Sequence, residues 1–280
     1  MKRFSLAFAA MIALVVLMGA GCGSNTAPTG TDTPSPVTPS AGLQVLRAGD
    51  KIVLQEPAAV IEGKYVGESV ERRVTINGFV MGKTSEGSYE LVKEQDTKNV
   101  VATGAWQFAT LNTTHNFYFP GVMDAKTRPI GESAILFLPR EEYRELASSS
   151  GTTIDPRFRE EIAWQERMKA DPAAERGYAA LSTLIREADE AKKDLTYARK
   201  EKVAQQTVRI NGQPVTVEVL TLRNWFGVYE IINHPDVPLI LSFRLDPQVD
   251  AKRLDVKKGD GAALASLVNY QVKELVYVGR

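Results

Sequence analysis

From Leu43 to Pro139 apolar and polar residues alternate in short runs. In Val70-Glu-Arg-Arg-Val-Thr-Ile-Asn-Gly-Phe-Val-Met81, residues Val70, Arg72, Val74 and Ile76 fall on one side of an extended chain. The runs Ser88–Lys93, Asn99–Ala102, Ala105–Phe108, Asn116–Phe119 and Ser133–Leu138 follow, divided by Gly, Asn or Pro. Period-two alternation between turn residues predicts an antiparallel sheet with one covered face.

The period then changes. Asp155-Pro156 and Asp171-Pro172 each place a capping carboxylate before a proline at the first helical position, which starts helices. Leu181, Leu184, Ala188, Ala191, Leu195 and Ala198 recur at three-then-four spacing, a narrow stripe whose small residues permit a close neighbour. Arg199, Lys200 and Lys202 crowd its far end, where cations suit a helix dipole. Residues 140–203 therefore read as a helical insert of two or three helices.

Strands return after Gln205. Thr207–Ile210, then Asn211-Gly212, then Pro214–Leu220 predicts a hairpin, because Asn-Gly suits the positive backbone angles of a type I′ turn. In it Val215, Val217 and Val219 share one face, and Thr216 and Glu218 the other. Phe226–Ile232 and Val237–Leu245 form a second pair around Asn233-His-Pro-Asp236, and Asn269–Val278 is one more strand. The inward set of that last strand is either Tyr270, Val272 and Glu274 or Leu275 and Tyr277; alternation alone does not choose.

Strands, helices and strands again with short connections predict one α+β domain over residues 43–280, a curved antiparallel sheet with a central helical insert over 140–203. Two separate β domains with a helical spacer is the alternative. Upstream, residues 23–42 hold Pro28, Pro34, Pro36 and Pro39 among Ser, Thr, Gly and Ala, with Asp32 the sole charge, and such a stretch reads as a disordered tether. The 44% hydrophobic and 24% charged content suits a globular body. Lys and Arg equal Asp and Glu at 34 each, which gives no attraction to nucleic acid.

The first residues decide where this body resides. Lys2 and Arg3 precede an uncharged, mostly apolar run from Phe4 to Met18, followed by Gly19, Ala20 and Gly21, the three-part layout of an export signal over residues 1–21. At about 1.5 Å per residue the run spans roughly 22 Å, short of a hydrocarbon core of roughly 30 Å. Met18-Gly-Ala-Gly-Cys22 resembles the lipobox of bacterial lipoproteins, with Gly19 standing where leucine is usual. The resemblance implies cleavage before Cys22 and a lipid on its thiol, hence an extracytoplasmic protein anchored to a bacterial membrane. Ordinary secretion, with Cys22 as a stray thiol, is the plainer reading. Cys22 is the single cysteine of the chain, so the fold rests on packing without disulfides.

Catalytic patterns are mostly absent. There is no Gly-x-Ser-x-Gly, His-Glu-x-x-His, phosphate loop or EF-hand loop. Of the two histidines, His234 lies in a turn by composition, and a metal pair with Asp236 lacks further ligands. His115 alternates with Phe117 and Phe119, and with Trp106 and Phe108 these residues form either a sheet core or the wall of a ligand pocket. No cofactor is expected.

The order of elements, above all a hairpin followed by Tyr229-Glu-Ile, a turn, Pro238-Leu-Ile-Leu241 and a last strand, resembles half-barrel periplasmic lipoprotein carriers and their lipid-anchored receptors. That resemblance implies a concave apolar surface able to receive acyl chains or a partner. The expected function is therefore non-catalytic: a lipid-anchored envelope protein that binds an apolar ligand or an envelope component in a sheet concavity. The alternative is an assembly lipoprotein that docks a protein partner through the Leu181–Ala198 stripe of its insert.

Overall fold

The computed structural model describes residues 42–56, 59–61, 64–66, 69–80, 84–93, 96–108, 116–118, 133–154, 172–191, 193–246, 264–265 and 268–280. Contacts divide the chain into Met1–Pro36 and Val37–Arg280, and every described element belongs to the second unit. Residues 1–41, which include the expected export signal, Cys22 and most of the expected tether, lie outside the described residues.

The first strands are β1 (Lys51–Glu56), β2 (Ala59–Ile61), β3 (Lys64–Val66), β4 (Val70–Val80), β5 (Thr84–Lys93), β6 (Asp96–Phe108), β7 (Asn116–Tyr118) and β8 (Ser133–Ile135). Helix α1 (Arg140–Ser148), β9 (Gly151–Thr153) and helix α2 (Pro172–Glu190) follow. The chain then runs through β10 (Tyr197–Ile210), β11 (Gln213–Arg223), β12 (Gly227–Ile232), β13 (Ile240–Leu245) and β14 (Tyr270–Val276). Most of the structure is thus antiparallel sheet, with two helices described in full.

Ten strands form one sheet in the order β6-β5-β4-β1-β14-β13-β12-β11-β10-β9. Strands from both sides of the helical region join through the β1–β14 pair, in which Ile52 faces Leu275 and Leu54 faces Val272. Two separate β domains are excluded by this continuity. A second contact between β10 and β14, the parallel bridge Ile210–Leu275, closes the pairings of β10 to β14 into a ring. The two runs expected at 99–102 and 105–108 are one strand, β6, whose Gly104 pairs with Tyr89 without a break. Strands β7 and β8 stand apart as a two-stranded parallel sheet.

The hairpin forms as its turn chemistry dictates. Asn211 and Gly212 have φ of 50° and 78°, left-handed values that glycine adopts without penalty. Val217 and Val219 are buried and Val215 half-buried, whereas Thr216 is exposed. The tip is also held by long-range bonds. Asn211 N–H donates to the Leu275 carbonyl at 2.9 Å, and Tyr277 N–H donates to Asn211 Oδ1 at 2.7 Å.

The last strand uses both candidate inward sets. Between Val53 and Leu54 the register to β14 shifts, passing from Glu274 to Val272 and leaving Lys273 as an extra residue. Such a bulge flips the alternation, so Tyr270 and Val272 are buried before it and Leu275 and Tyr277 after it.

Helix α2 begins at Pro172, where the Asp171-Pro172 signal puts it, and buries Ala180, Leu181, Leu184 and Ala188 in the main core. The helical insert nevertheless ends well short of residue 203. Lys193 N–H bonds back to the Ala188 carbonyl, a closing bond of the kind that ends helices. Asp194 Oδ1 then accepts from the amides of Thr196 at 2.7 Å and Tyr197 at 3.1 Å, turning the chain into β10. Arg199, Lys200 and Lys202 therefore lie on a strand, not at a helix end. Leu195 and Ala198 are buried from outside the helix, and Ala191 is exposed. Asp155-Pro156 lies outside the described residues.

The entry segment is fastened to the end of the chain. Buried Asp50 accepts from Arg47 N–H at 2.8 Å, from Val278 N–H at 2.9 Å and from the Arg280 guanidinium. Tyr277 Oη donates to the Gln44 carbonyl at 3.0 Å.

Candidate functional site

Residues directly opposite each other in an antiparallel pair share a face. Leu222, Tyr229, Phe243 and Tyr270 are linked in this way across β11, β12, β13 and β14, and all four are buried. The Phe243 ring lies 4.7 Å from that of Tyr229 and 5.6 Å from that of Phe226, centroid to centroid, within the range of favourable ring pairs. Gly227 allows this, since a Cβ there would collide with the Phe243 ring. Each such side chain contributes about 1.5–3 kcal/mol by leaving water, so this row fixes one core side of the sheet, while Val219 and Ile232 are buried on the opposite side.

The next row points the other way and is polar. Thr221 faces Glu230, Glu230 faces Ser242, Ser242 faces Gln271, Gln271 faces Gln55 and Gln55 faces Glu71, a chain of partners across β11, β12, β13, β14, β1 and β4. Over its middle lies a pocket of about 720 Å³, lined among others by Gln55, Gln206, Glu230, Ser242, Arg244 and Gln271. That volume falls in the range of small-molecule sites. Gln206 comes from β10, which is remote from β1 in the sheet order. It shares the pocket because β10 returns to meet β14.

The groups of the pocket are held unequally. Ser242 Oγ donates to Glu230 Oε2 at 2.8 Å, which orients the carboxylate. Arg244 Nη2 stands 3.7 Å from Glu230 Oε1, beyond hydrogen-bond length, and makes no hydrogen bond to any other described residue. Gln55 Nε2 donates to Ser69 Oγ at 3.3 Å, and Asn269 Oδ1 accepts from Leu245 N–H at 2.9 Å. At the β4 end, partial burial pushes the Glu71 carboxyl up, but hydrogen bonds and charge from Arg73 and Lys273 hold it below the ordinary carboxylate range. Tyr270 donates to the Ile240 carbonyl at 3.3 Å, and burial pushes its phenol well up, so its edge of the pocket stays neutral.

The aromatic set expected at the site is divided between sheets. Trp106 and Phe108 lie on β6 opposite Gly87 and Ser85, whereas Phe117 lies on β7 opposite Ala134. His115 and Phe119 fall outside the described residues, as does Cys22. His234 belongs to the connection between β12 and β13, where its Nδ1 accepts from Asp236 N–H at 3.2 Å. The helical stripe offers no docking face through Leu181 and Leu184, because both are buried in the chain's own core. Among the described residues no group of three His, Cys, Asp or Glu side chains is placed to hold a metal ion, and no helix is long and apolar enough to cross a membrane.

Sequence reasoning missed the polar row altogether. Gln55, Glu230, Ser242 and Gln271 are isolated polar residues within their own strands, and only strand pairing joins them. Comparison with protein families, with curated proteins and with solved structures gave no match.

Proposed function

We propose that this is a non-catalytic cell-envelope protein, anchored by lipid at Cys22, whose sheet curves around α2 and binds an envelope component in the pocket over the polar row. The observation that carries the reading is the pocket itself: about 720 Å³ of space above a continuous line of hydrogen-bonding side chains. Two features support the curved α+β arrangement. The pairings from β10 to β14 form a ring, and the buried face of α2 shares one core with them.

The lining favours a binding site over an acid–base centre. Glu230 is the one carboxylate among the described lining residues; Ser242 hydrogen-bonds it and Arg244 stands nearby at 3.7 Å. General acid–base work needs a second titratable partner in the same cleft. Amides and hydroxyls favour an envelope component with polar groups over an acyl chain, which would leave these groups without partners.

Two measurements test the reading. Replacing Cys22 with Ser should move the protein from the detergent to the aqueous phase in Triton X-114 partition, and unchanged partition would place the membrane hold elsewhere. Native mass spectrometry of the protein taken from its membrane should show a bound small molecule that Gln271→Trp loses. A wild-type protein that is empty in every preparation would overturn the binding role.

A further inference from the structure

Resting on that pocket, we infer that its ligand is neutral and rich in hydroxyl groups, a saccharide whose vicinal diol inserts between Glu230 and Arg244. Charge excludes the simpler ions first. Among the described lining residues the carboxylate of Glu230 and the guanidinium of Arg244 cancel, and Gln55, Gln206, Gln271, Ser242, Ser69 and Asn269 are neutral. An anion would meet Glu230 and a cation would meet Arg244, and either would face a like charge at close range.

The hydrogen-bonding inventory then selects the class. A hydroxyl both donates and accepts, and so do the side-chain amides of Gln55, Gln206 and Gln271. Glu230 Oε2 is taken by Ser242, which leaves Oε1 facing the guanidinium across 3.7 Å. Arg244 is 65% exposed and Glu230 18%, so this weak pair stands at the edge of the pocket with acceptor and donors side by side. Two adjacent ligand hydroxyls meet both at once. One donates to Oε1 and the other accepts from the guanidinium, replacing a long contact with two charge-assisted bonds.

The aromatic rings argue for edge-on recognition. Phe243 and Tyr270 line the pocket, yet both side chains are buried on the core side, so they present no ring face for a sugar to stack upon. Affinity therefore has to come from the polar groups, which ties it to the amides. The volume of about 720 Å³ admits more than one sugar ring.

The test titrates the full chain, held in a detergent without a sugar head group, with N,N′-diacetylchitobiose and with maltotriose. The dipeptide Gly-Ala and dodecanoate serve as the peptide and acyl alternatives, followed in parallel by calorimetry and saturation-transfer NMR. At least one saccharide should bind saturably, about ten-fold more weakly to Arg244→Ala and to Gln271→Ala, with affinity nearly constant between low and high salt, as a neutral ligand requires. Both variants alter exposed side chains, and unchanged melting curves should show that they fold. Saccharide binding that ignores both substitutions would overturn the inference, since the site would lie elsewhere. Binding of the dipeptide or dodecanoate in place of the saccharides would overturn the hydroxyl class while leaving the pocket in use. If none of the four probes binds and native mass spectrometry shows an empty protein, the inference and the binding role fall together.

Discussion

Two oppositely charged pairs on the two faces of the same sheet show how differently one kind of contact can serve. On the core face, Arg72 of β4 donates from Nε to Glu56 Oε1 at 2.5 Å and from Nη2 to Glu56 Oε2 at 3.1 Å, with side chains 2% and 0% exposed. Its guanidinium also lies 4.5 Å from the centre of the Tyr89 ring. On the pocket face, Glu230 and Arg244 approach only to 3.7 Å and remain open to water. A desolvated two-point pair tolerates one geometry and so fixes the register of β1 against β4. A wet and loose pair fixes nothing and keeps its groups available.

The strongest way to break this contrast is Arg72→Ala, which strands a buried carboxylate. It should cost about 3–5 kcal/mol in urea unfolding, and a cost below 1 kcal/mol would mean that water reaches Glu56. The double change of Arg72→Met with Glu56→Leu should recover most of that loss, because it removes both charges and keeps the volume. If the double variant is no better than Arg72→Ala, packing rather than charge explains the site.

The hairpin offers a second contrast, between a buried apolar residue and a half-buried charged one. Val217 is fully buried, so Val217→Asp should cost about 3 kcal/mol, by burying a group with no partner. Glu218 on the other face is half-buried and accepts a hydrogen bond from Asn233 Nδ2, so Glu218→Ala should cost about 1 kcal/mol rather than nothing. Equal losses for the two would show the strand's faces to be wrongly assigned.

The same substitution sharpens the contrast by pH. Tyr143 donates to Asn233 Oδ1 at 3.0 Å, and its phenol is pushed up to about 12, first by burial and then by the charges of Glu218 and Asp236. The folded value exceeds the unfolded one near 10, so this contribution to stability is whole below about pH 10 and is lost as pH rises through about 12. Ultraviolet titration of phenolate should show Tyr143 ionising earlier in Glu218→Ala, and an unchanged midpoint would leave the shift to burial and Asp236.

The smallest effect belongs to the pocket pair. Arg244→Ala should change stability by less than about 0.5 kcal/mol, as for other exposed ion pairs. A loss above 1 kcal/mol would make Arg244 part of the fold rather than part of a binding surface.

What the sequence made legible was local. Asn211-Gly212 carries its own backbone angles, and Val217 and Val219 carry their own face, so the hairpin could be read without any neighbour. The end of α2 could not, because Leu195 and Ala198 continue the helical spacing by coincidence while Asp194 turns the backbone away. Nor could the inward side of β14, which depends on an extra residue that exists only relative to β1. The pocket was the least legible feature. Gln55 and Gln271 are opposite each other in the sheet but far apart in the chain, and the burial pattern of either strand shows nothing beyond ordinary polar positions.

The fastening between the entry segment and Arg280 has a topological consequence. Arg280 Nη1 donates to Gln44 Oε1 at 2.9 Å and to the Val45 carbonyl at 3.2 Å, so the two ends of the described part touch beside the β1–β14 pair. Ends this close can be joined and the chain reopened elsewhere, as circular permutation does. A permutant that links Arg280 to Leu43 and starts at Lys193, in the exposed connection after α2, keeps every strand pair that holds the sheet. The sequence in which the strands are synthesised is then separable from the order in which they lie side by side.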